Sequence, residues 1–118
     1  MREPPAIESF GGGGFRVAGV WRLGSLLIVQ DAPRDWRPAA FIDIAVADFE
    51  AALAAPPGAV EFVLLGTGAA QALPPRAIRE ALRAGGIGLE FMATEAAVRM
   101  HNVLASQGRL FATALIAV

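Results

Sequence analysis

The chain has 118 residues, which is enough for one domain with a buried core, and its net charge at pH 7 is −1. All ten lysine-or-arginine positions are arginine, and the sequence contains no cysteine. This composition excludes lysine Schiff-base chemistry, disulfides and thiolate catalysis, and it provides no general positive field for nucleic acid.

The N-terminus has no apolar segment of the kind found in a signal peptide, and no apolar run reaches the roughly 18 residues that a membrane-spanning helix needs. We therefore expect a cytoplasmic protein without a transmembrane segment. Residues 1–9, which include two prolines and two glutamates, are predicted to form a loose arm.

The first half of the chain indicates short strands and turns. Glycines separate short apolar segments between residues 10 and 31, and Ser25–Val29 is the clearest predicted strand. The run of glycines at 11–14 is interpreted as a flexible turn, because no lysine or serine follows it as a phosphate-binding loop requires. Beyond a proline-bounded loop, the sequence predicts a strand at Phe41–Ile44 and a short helix at Asp48–Ala54 with Asp48 as its N-cap.

The second half alternates strands and helices. Val60–Leu65 is a nearly continuous apolar run, typical of a strand that is buried on both faces. Pro74 and Pro75 precede a predicted helix that Gly85 and Gly86 end. Three further elements are predicted: a strand at Ile87–Phe91, a helix from Thr94 to about Gln107, and a strand at Leu110–Ala117.

In the last of these helices we predict Thr94 as the N-cap and an apolar face. The residues of that face are Ala96, Ala97, Met100, Val103 and Leu104. The strand–helix–strand–helix–strand order implies parallel pairing, and the first half is expected to add antiparallel neighbours. The fold class is therefore α/β, as one domain over residues 1–118 with a mixed central sheet flanked by helices.

The segment Gly66-Thr67-Gly68 resembles the start of a dinucleotide-binding loop. The third glycine of that pattern is replaced by Gln71, and the two prolines delay the helix, so we favour a loop that needs glycine for its backbone geometry. Ligands of open α/β sheets nevertheless bind beyond the carboxyl ends of parallel strands. Gly66, Thr67, Gly68, Met92 and Thr94 are accordingly the candidate ligand-binding residues, for a small anion or nucleotide. The alternative, which we favour, is that these groups only cap helices and one another.

Other candidate residues point to recognition rather than proton transfer. Three arginines follow helical spacing, which predicts either a solvated face or a surface for an acidic partner or an anionic lipid. His101 has no second histidine or cysteine to share a metal with, and is interpreted as a packed or surface residue. The candidate interaction residues are Arg76, Arg79, Arg83, Arg99, Asn102 and Arg109.

The order of several segments resembles the Mth938-like family, also called DUF498. The matching segments are the glycine loop at Gly66–Gly68, Met92 with Thr94, and then Ala97, Arg99, Asn102, Leu104, Gly108 and Arg109. His101 stands where the family pattern has an aromatic residue such as tyrosine. The resemblance covers nearly the whole chain and implies a single α/β domain with a mixed sheet.

The resemblance also implies a function without catalysis. No enzyme activity is established for the family, and its mitochondrial relatives resemble respiratory complex I assembly factor 3-type proteins. We therefore expect a non-enzymatic interaction or assembly domain with no cofactor and no metal, acting on protein partners. Peripheral membrane association and homo-oligomerisation stay open. The alternative is a small-ligand-binding or enzyme domain that uses the strand-end crevice at Thr67 and Thr94.

Overall fold

A computed structural model describes residues 4–118 and contains two β-sheets and three α-helices. The strands are β1 (Ile7–Gly11), β2 (Gly14–Val17), β3 (Val20–Leu23), β4 (Ser25–Val29), β5 (Ala32–Trp36), β6 (Phe62–Gly66), β7 (Gly88–Met92) and β8 (Phe111–Leu115). The helices are α1 (Glu50–Leu53), α2 (Arg76–Ala84) and α3 (Thr94–Ser106). Two 3₁₀ turns, Phe41–Asp43 and Val46–Phe49, precede α1.

The main sheet has five strands in the order β5-β4-β8-β6-β7. Strand β6 pairs in parallel with β7 and β8, whereas β4 pairs antiparallel with β5 and β8. The parallel half is built from β6, α2, β7, α3 and β8, as the alternation of strands and helices predicted. The mixed α/β sheet is therefore confirmed, and the last strand in the chain, β8, lies at its centre.

Both faces of the main sheet are covered. On one face, Val63 and Leu65 of β6 pack with Ile78 and Leu82 of α2. On the other face, Leu64 packs with α3 and with the small sheet formed by β1, β2 and β3. Because successive residues of a strand point to opposite faces, a strand covered on both sides has to be apolar throughout. This explains the continuous apolar runs of β4 and β6.

The small sheet includes the last three residues of the predicted loose arm. Residues 1–3 lie outside the described part of the chain, but Ile7–Ser9 belong to β1, and Ile7 is buried. The glycine run forms the β1–β2 hairpin turn, where Gly12 and Gly13 have φ values of 62° and 84°. Backbone of that kind favours glycine, so the flexible-turn interpretation of residues 11–14 agrees with the structure.

The predicted strand at Phe41–Ile44 is wrong, because Phe41–Asp43 forms a 3₁₀ turn. The N–H of Asp43 donates to the carbonyl of Ala40 at 3.0 Å, so the segment satisfies its backbone locally. Ile42 is 89% exposed, so its side chain is not covered as it would be in a buried strand. The short apolar run was too brief to distinguish a strand from a turn.

The predicted helix at Asp48–Ala54 is shorter and begins differently. Its N-cap is Phe49, and the Asp48 carboxylate instead accepts a hydrogen bond from the N–H of Ala45, at 2.8 Å. The same carboxylate receives two bonds from Arg37, from Nε at 2.7 Å and from Nη2 at 2.6 Å. Asp48 therefore ties the loop after β5 to the turn before α1, and its side chain is only 5% exposed.

The face of α3 is also rotated from its predicted position. Met100 and Val103 are 40% and 51% exposed, although both were assigned to the apolar face. The buried residues of the helix are Thr94, Ala97, Val98, His101 and Leu104. Two polar residues belong to this buried set because they find hydrogen-bond partners inside, as described below. Apolar spacing alone placed Ala97 and Leu104 correctly but rotated the rest of the face toward Met100 and Val103.

No helix within residues 4–118 is both long enough and apolar enough to cross a membrane.

The Arg37–Asp48 pair gives a prediction for acid stability. The hydrogen bond from Arg37 lowers the pKa of Asp48 below its usual 3.8, although partial burial opposes this shift. The ionised carboxylate therefore stabilises the fold at pH values above its usual pKa. This contribution to the free energy of unfolding disappears as the pH falls through the lowered pKa of the folded chain. We expect Asp48→Asn to reduce the free energy of unfolding at neutral pH and to cost progressively less below about pH 4.

Urea titrations of both proteins at several pH values measure this difference. Asp43→Asn is the matched control, since Arg37 donates a hydrogen bond to the backbone carbonyl of Asp43, whereas it donates to the carboxylate of Asp48. An Asp48→Asn deficit that does not change with pH would contradict the assignment.

Candidate functional site

The carboxyl ends of β6 and β7 meet in what we call the strand-end junction: Gly66–Gly68, Met92–Thr94 and Ile116. The N–H of Thr67 donates to the carbonyl of Met92 at 2.8 Å, and the N–H of Thr94 donates to the carbonyl of Gly68 at 2.9 Å. The N–H of Ile116 donates to the carbonyl of Gly66 at 2.9 Å. The five candidate ligand-binding residues are thus brought together, and their backbones bond to one another.

Thr94 is the centre of the junction. Its hydroxyl accepts a hydrogen bond from the N–H of Gly68 at 2.9 Å and donates to the carbonyl of Ile116 at 2.8 Å. The side chain is fully buried. The prediction that Thr94 caps α3 is wrong, because the N-cap is Ala93 and Thr94 is the first helical residue. Its hydroxyl links two loops instead of ending a helix.

The Thr67 hydroxyl is also engaged within the chain. It lies 2.7 Å from the carbonyl of Ala70 and 3.1 Å from that of Met92, and it accepts from the N–H of Ala72 at 3.2 Å. Thr67 is 3% exposed. A ligand at the junction would have to displace these hydrogen bonds, and buried polar groups that lose a partner are costly.

Gly66 is required by close packing. A Cβ atom at this position would lie 2.8 Å from Cδ2 of Leu115, 2.9 Å from Oγ1 of Thr94 and 3.0 Å from its Cα. Gly68 has a φ of 107°, which side chains rarely tolerate. These two glycines let α3 and the end of β8 approach β6, in agreement with the interpretation that favoured backbone geometry over a dinucleotide cradle.

His101 is buried between the main sheet and the N-terminal segment. Its Nδ1 lies 2.7 Å from Oγ1 of Thr113, and its Nε2 lies 2.8 Å from the carbonyl of Pro5. Because a carbonyl only accepts, Nε2 carries the proton, and Nδ1 accepts from the threonine hydroxyl. The ring also meets Phe111 edge-on, with 5.5 Å between centroids. Of the two alternatives left open, the packed histidine is correct.

Burial of His101 lowers its pKa from the usual 6.5, since the charged imidazolium is disfavoured away from water. The Pro5 carbonyl and the negative charge of Asp31 oppose this shift. Among residues 4–118, no group of three or more histidine, aspartate or glutamate side chains is placed to hold a metal ion. The imidazole instead anchors the start of the chain to the sheet.

Asn102 also holds the N-terminal segment in place. Its Oδ1 accepts from the N–H of Ile7 and its Nδ2 donates to the carbonyl of Ile7, both at 2.9 Å. The side chain thereby imitates a neighbouring strand and fixes β1 against α3. Asn102 is one of the candidate interaction residues, but it is half-buried and already bonded within the chain. Replacing it would detach β1 as well as alter the surface.

The candidate arginines do not form one patch. Helix α2 covers one face of the main sheet and α3 the other, so the stripe of Arg76, Arg79 and Arg83 lies opposite Arg99. Arg76 pairs with Glu80 at 3.3 Å, and Arg99 pairs with Glu95 at 2.9 Å. These exposed pairs contribute little to stability.

The other candidate arginines are placed differently. Nε of Arg79 donates to the carbonyl of Pro74, at 3.0 Å. The guanidinium of Arg109 lies 5.4 Å from the centroid of the Phe62 ring. Arg83 is exposed near the end of α2. Each arginine therefore has its own local setting, and no two elements converge on one basic site.

Two exposed apolar surfaces were missed by the sequence reasoning. The first, the β3 patch, consists of Val20, Trp21 and Leu23, which are 56%, 46% and 73% exposed. The second is a groove beside β7 that Met92 and Met100 help to line. The β3 patch could have been predicted, because the short strand Val20–Leu23 has exposed apolar residues on both of its faces. The groove could not, because it depends on which face of α3 is buried.

Comparison with known proteins places the chain in a family. A family model described as "Protein of unknown function (DUF498/DUF598)" matches residues 7–116. The chain belongs to the DUF498 family. An uncharacterized protein of Rhodobacter capsulatus is 39% identical over 110 residues, covering 93% of this chain and 82% of that protein.

Solved structures support the same assignment for this DUF498 chain. The crystal structure of a protein described as an outer membrane protein from Bartonella henselae has a TM-score of 0.91 and 30% identity, covering 98% of this chain and 96% of that one. A Bordetella pertussis protein described as a Mth938-like domain has a TM-score of 0.82 and 25% identity, covering 95% and 85%. The resemblance to the Mth938-like family is thereby confirmed.

The junction predicts a contrast between two threonine substitutions. Thr94→Val keeps the shape but leaves the buried N–H of Gly68 and the carbonyl of Ile116 without a partner, so it should cost about 2 kcal/mol or more. Thr94→Ser keeps the hydroxyl and loses one methyl group, at about 1 kcal/mol. Urea unfolding measures both, and equal losses would show that the hydroxyl is not the linking group.

The lowered pKa of His101 leads to a second prediction, that the free energy of unfolding depends on pH near neutrality. The folded chain binds the imidazole proton more weakly than the unfolded chain does, so stability should decrease as the pH falls below about 6.5. This component of the slope is at most about 1.4 kcal/mol per pH unit. His101→Gln and His101→Phe, which do not titrate, should remove it.

Denaturant midpoints between about pH 5 and 8 test this expectation. The comparison of variants with the unmodified chain cancels the titration of carboxylates elsewhere. If the unmodified chain and both variants have the same slope, the histidine does not influence stability in the way described.

Proposed function

We propose that this DUF498 chain is a non-enzymatic, cytoplasmic interaction domain that supports the assembly of a membrane complex, such as a respiratory complex. The observation that carries the proposal is how its polar side chains are used. The hydroxyls of Thr67 and Thr94, the imidazole of His101 and the amide of Asn102 all bond to groups of this chain. What the domain offers to another molecule is then its shape and its exposed surface.

The β3 patch supports contact with a protein partner. Trp21 and Leu23 lie two residues apart on the same face of an edge strand of the small sheet, and Val20 is exposed on the other face of that strand. Clustered exposed apolar side chains are typical of interaction sites. Trp21 is the residue type most often found at the energetic centre of such interfaces.

The assembly role is supported by family relations. The resemblance described above extends to mitochondrial complex I assembly factor 3-type proteins, which act on a membrane complex. The Bartonella henselae relative is itself described as an outer membrane protein. Both relations favour a search for partners in the membrane fraction as well as in the cytosol.

Affinity capture from native cells, including a detergent-solubilised membrane fraction, tests the proposal. We expect the unmodified chain to retain a reproducible set of proteins identified by mass spectrometry. The double change Trp21→Ser and Leu23→Ser should remove most of that set, because it removes the apolar surface that a partner would bury.

The matched control is Ile42→Ser with Leu73→Ser, two apolar residues that are 89% and 63% exposed and lie outside the β3 patch. Loss of partners in the control as strongly as in the patch variant would contradict a role for the patch. Capture of no partner by the unmodified chain would contradict the proposal itself. Saturable thermal stabilisation by phosphate or a nucleotide, abolished in Thr67→Val, would support ligand binding at the junction instead.

A further inference from the structure

The outer edge of the main sheet at β7 is open. Strand β7 is last in the strand order and, within residues 4–118, pairs only with β6. The N–H of Gly88 and the carbonyl of Met92 bond to Glu61 and Thr67, on the β6 side. Since backbone groups alternate along a strand, Leu89 and Phe91 direct their N–H and C=O groups outward. Nε2 of Gln71 donates to the Phe91 carbonyl at 3.3 Å, which agrees with this direction.

An apolar groove of about 300 Å³ runs beside this edge, between β7 and α3. It is lined by the apolar residues Phe62, Leu64, Met92, Met100 and Leu104 and, at its rim, by the charged residues Glu90 and Arg109. Met100 is 40% exposed although it is apolar. Methionine side chains are flexible and adapt to differently shaped partners. The groove therefore suits an apolar side chain from an added strand.

A negative charge stands at the middle of the open edge. Glu90 is the central residue of β7, it is exposed, and it points to the same face as Met92. Within residues 4–118, Glu90 makes no ion pair or hydrogen bond with another side chain. An opposite charge directly across a strand pair is favourable.

We infer that the β7 edge binds an extended peptide of a partner protein as a sixth strand. The peptide places a lysine or arginine opposite Glu90 and, two positions along, an apolar side chain in the groove beside Met92 and Met100. Backbone hydrogen bonds to Leu89 and to the N–H of Phe91 supply affinity, since Gln71 already donates to the Phe91 carbonyl, and the alternate side chains supply specificity. This inference rests on the proposed function, because it names the surface and the chemistry of a protein partner.

A second copy of the chain fits this edge less well. A two-fold antiparallel pairing that uses both Leu89 and Phe91 sets Leu89 of one copy opposite Phe91 of the other. The two copies of Glu90 then stand directly opposite each other on one face, and like charges in that position are destabilising. The charge of the edge therefore favours a basic partner strand over self-association.

A phage-displayed library of random linear peptides, selected on the full chain, tests the inference. We expect enriched peptides with a basic residue two positions from an apolar one. Glu90→Lys should weaken the binding of a selected peptide by about tenfold or more, and exchanging the basic residue of the peptide for glutamate should restore it. Met100→Lys should weaken binding because it fills the groove with a charge.

Val103→Lys is the control, because Val103 is 51% exposed on the same helix but does not line the groove. Selected peptides that bind Glu90→Lys and Met100→Lys as tightly as the unmodified chain would overturn the inference. So would the selection of no peptide, or a dimer of the unmodified chain that Met100→Lys dissolves.

The two proposals fail in different ways. If cells yield the same partners with the double variant Glu90→Lys, Met100→Lys as with the unmodified chain, the assignment to β7 is wrong and the proposed function stands. If the unmodified chain captures no partner, the proposed function is wrong whatever the peptides do.

Discussion

The rest of the fold depends on the two hydrogen bonds of the Thr94 hydroxyl. The hydroxyl joins the loop after β6 to the backbone beyond β8, and it does so at the first residue of α3. This bond is reached only because Gly66 has no side chain, since a Cβ atom there would lie 2.9 Å from the hydroxyl oxygen. The resemblance of Gly66–Gly68 to the start of a dinucleotide-binding loop has this origin, because close backbone approach needs glycine in both cases.

Polar side chains also form internal hydrogen bonds to the N-terminal half of the domain. His101 and Asn102, adjacent on α3, bond to Pro5 and Ile7 and hold the small sheet against the main one. Side chains that could have formed a site are thus used to assemble two sheets around one helix. The surface that is left contains the β3 patch and the open edge of β7, and both have the apolar character that partner proteins bury.

The sequence was informative where apolar runs and helix signals agreed. The parallel half of the sheet and helix α2 followed from buried runs bounded by glycine and proline, and these elements need no knowledge of distant contacts. Phe41–Asp43 was assigned wrongly because a short apolar run carries no period. The face of α3 was misplaced because Thr94 and His101 are buried by partners far along the chain, at Ile116 and Pro5. Hydrogen bonds between distant residues leave no local pattern to read.

Native-state hydrogen exchange of the Gly68 amide tests the central claim most directly. If the strand-end junction only holds parts of this chain together, the Gly68 amide should exchange only through global unfolding. Its exchange rate should then not change when phosphate or nucleotide is added. An amide that exchanges rapidly in the folded chain, and becomes protected on addition of such an anion, would show that the junction is instead a binding site.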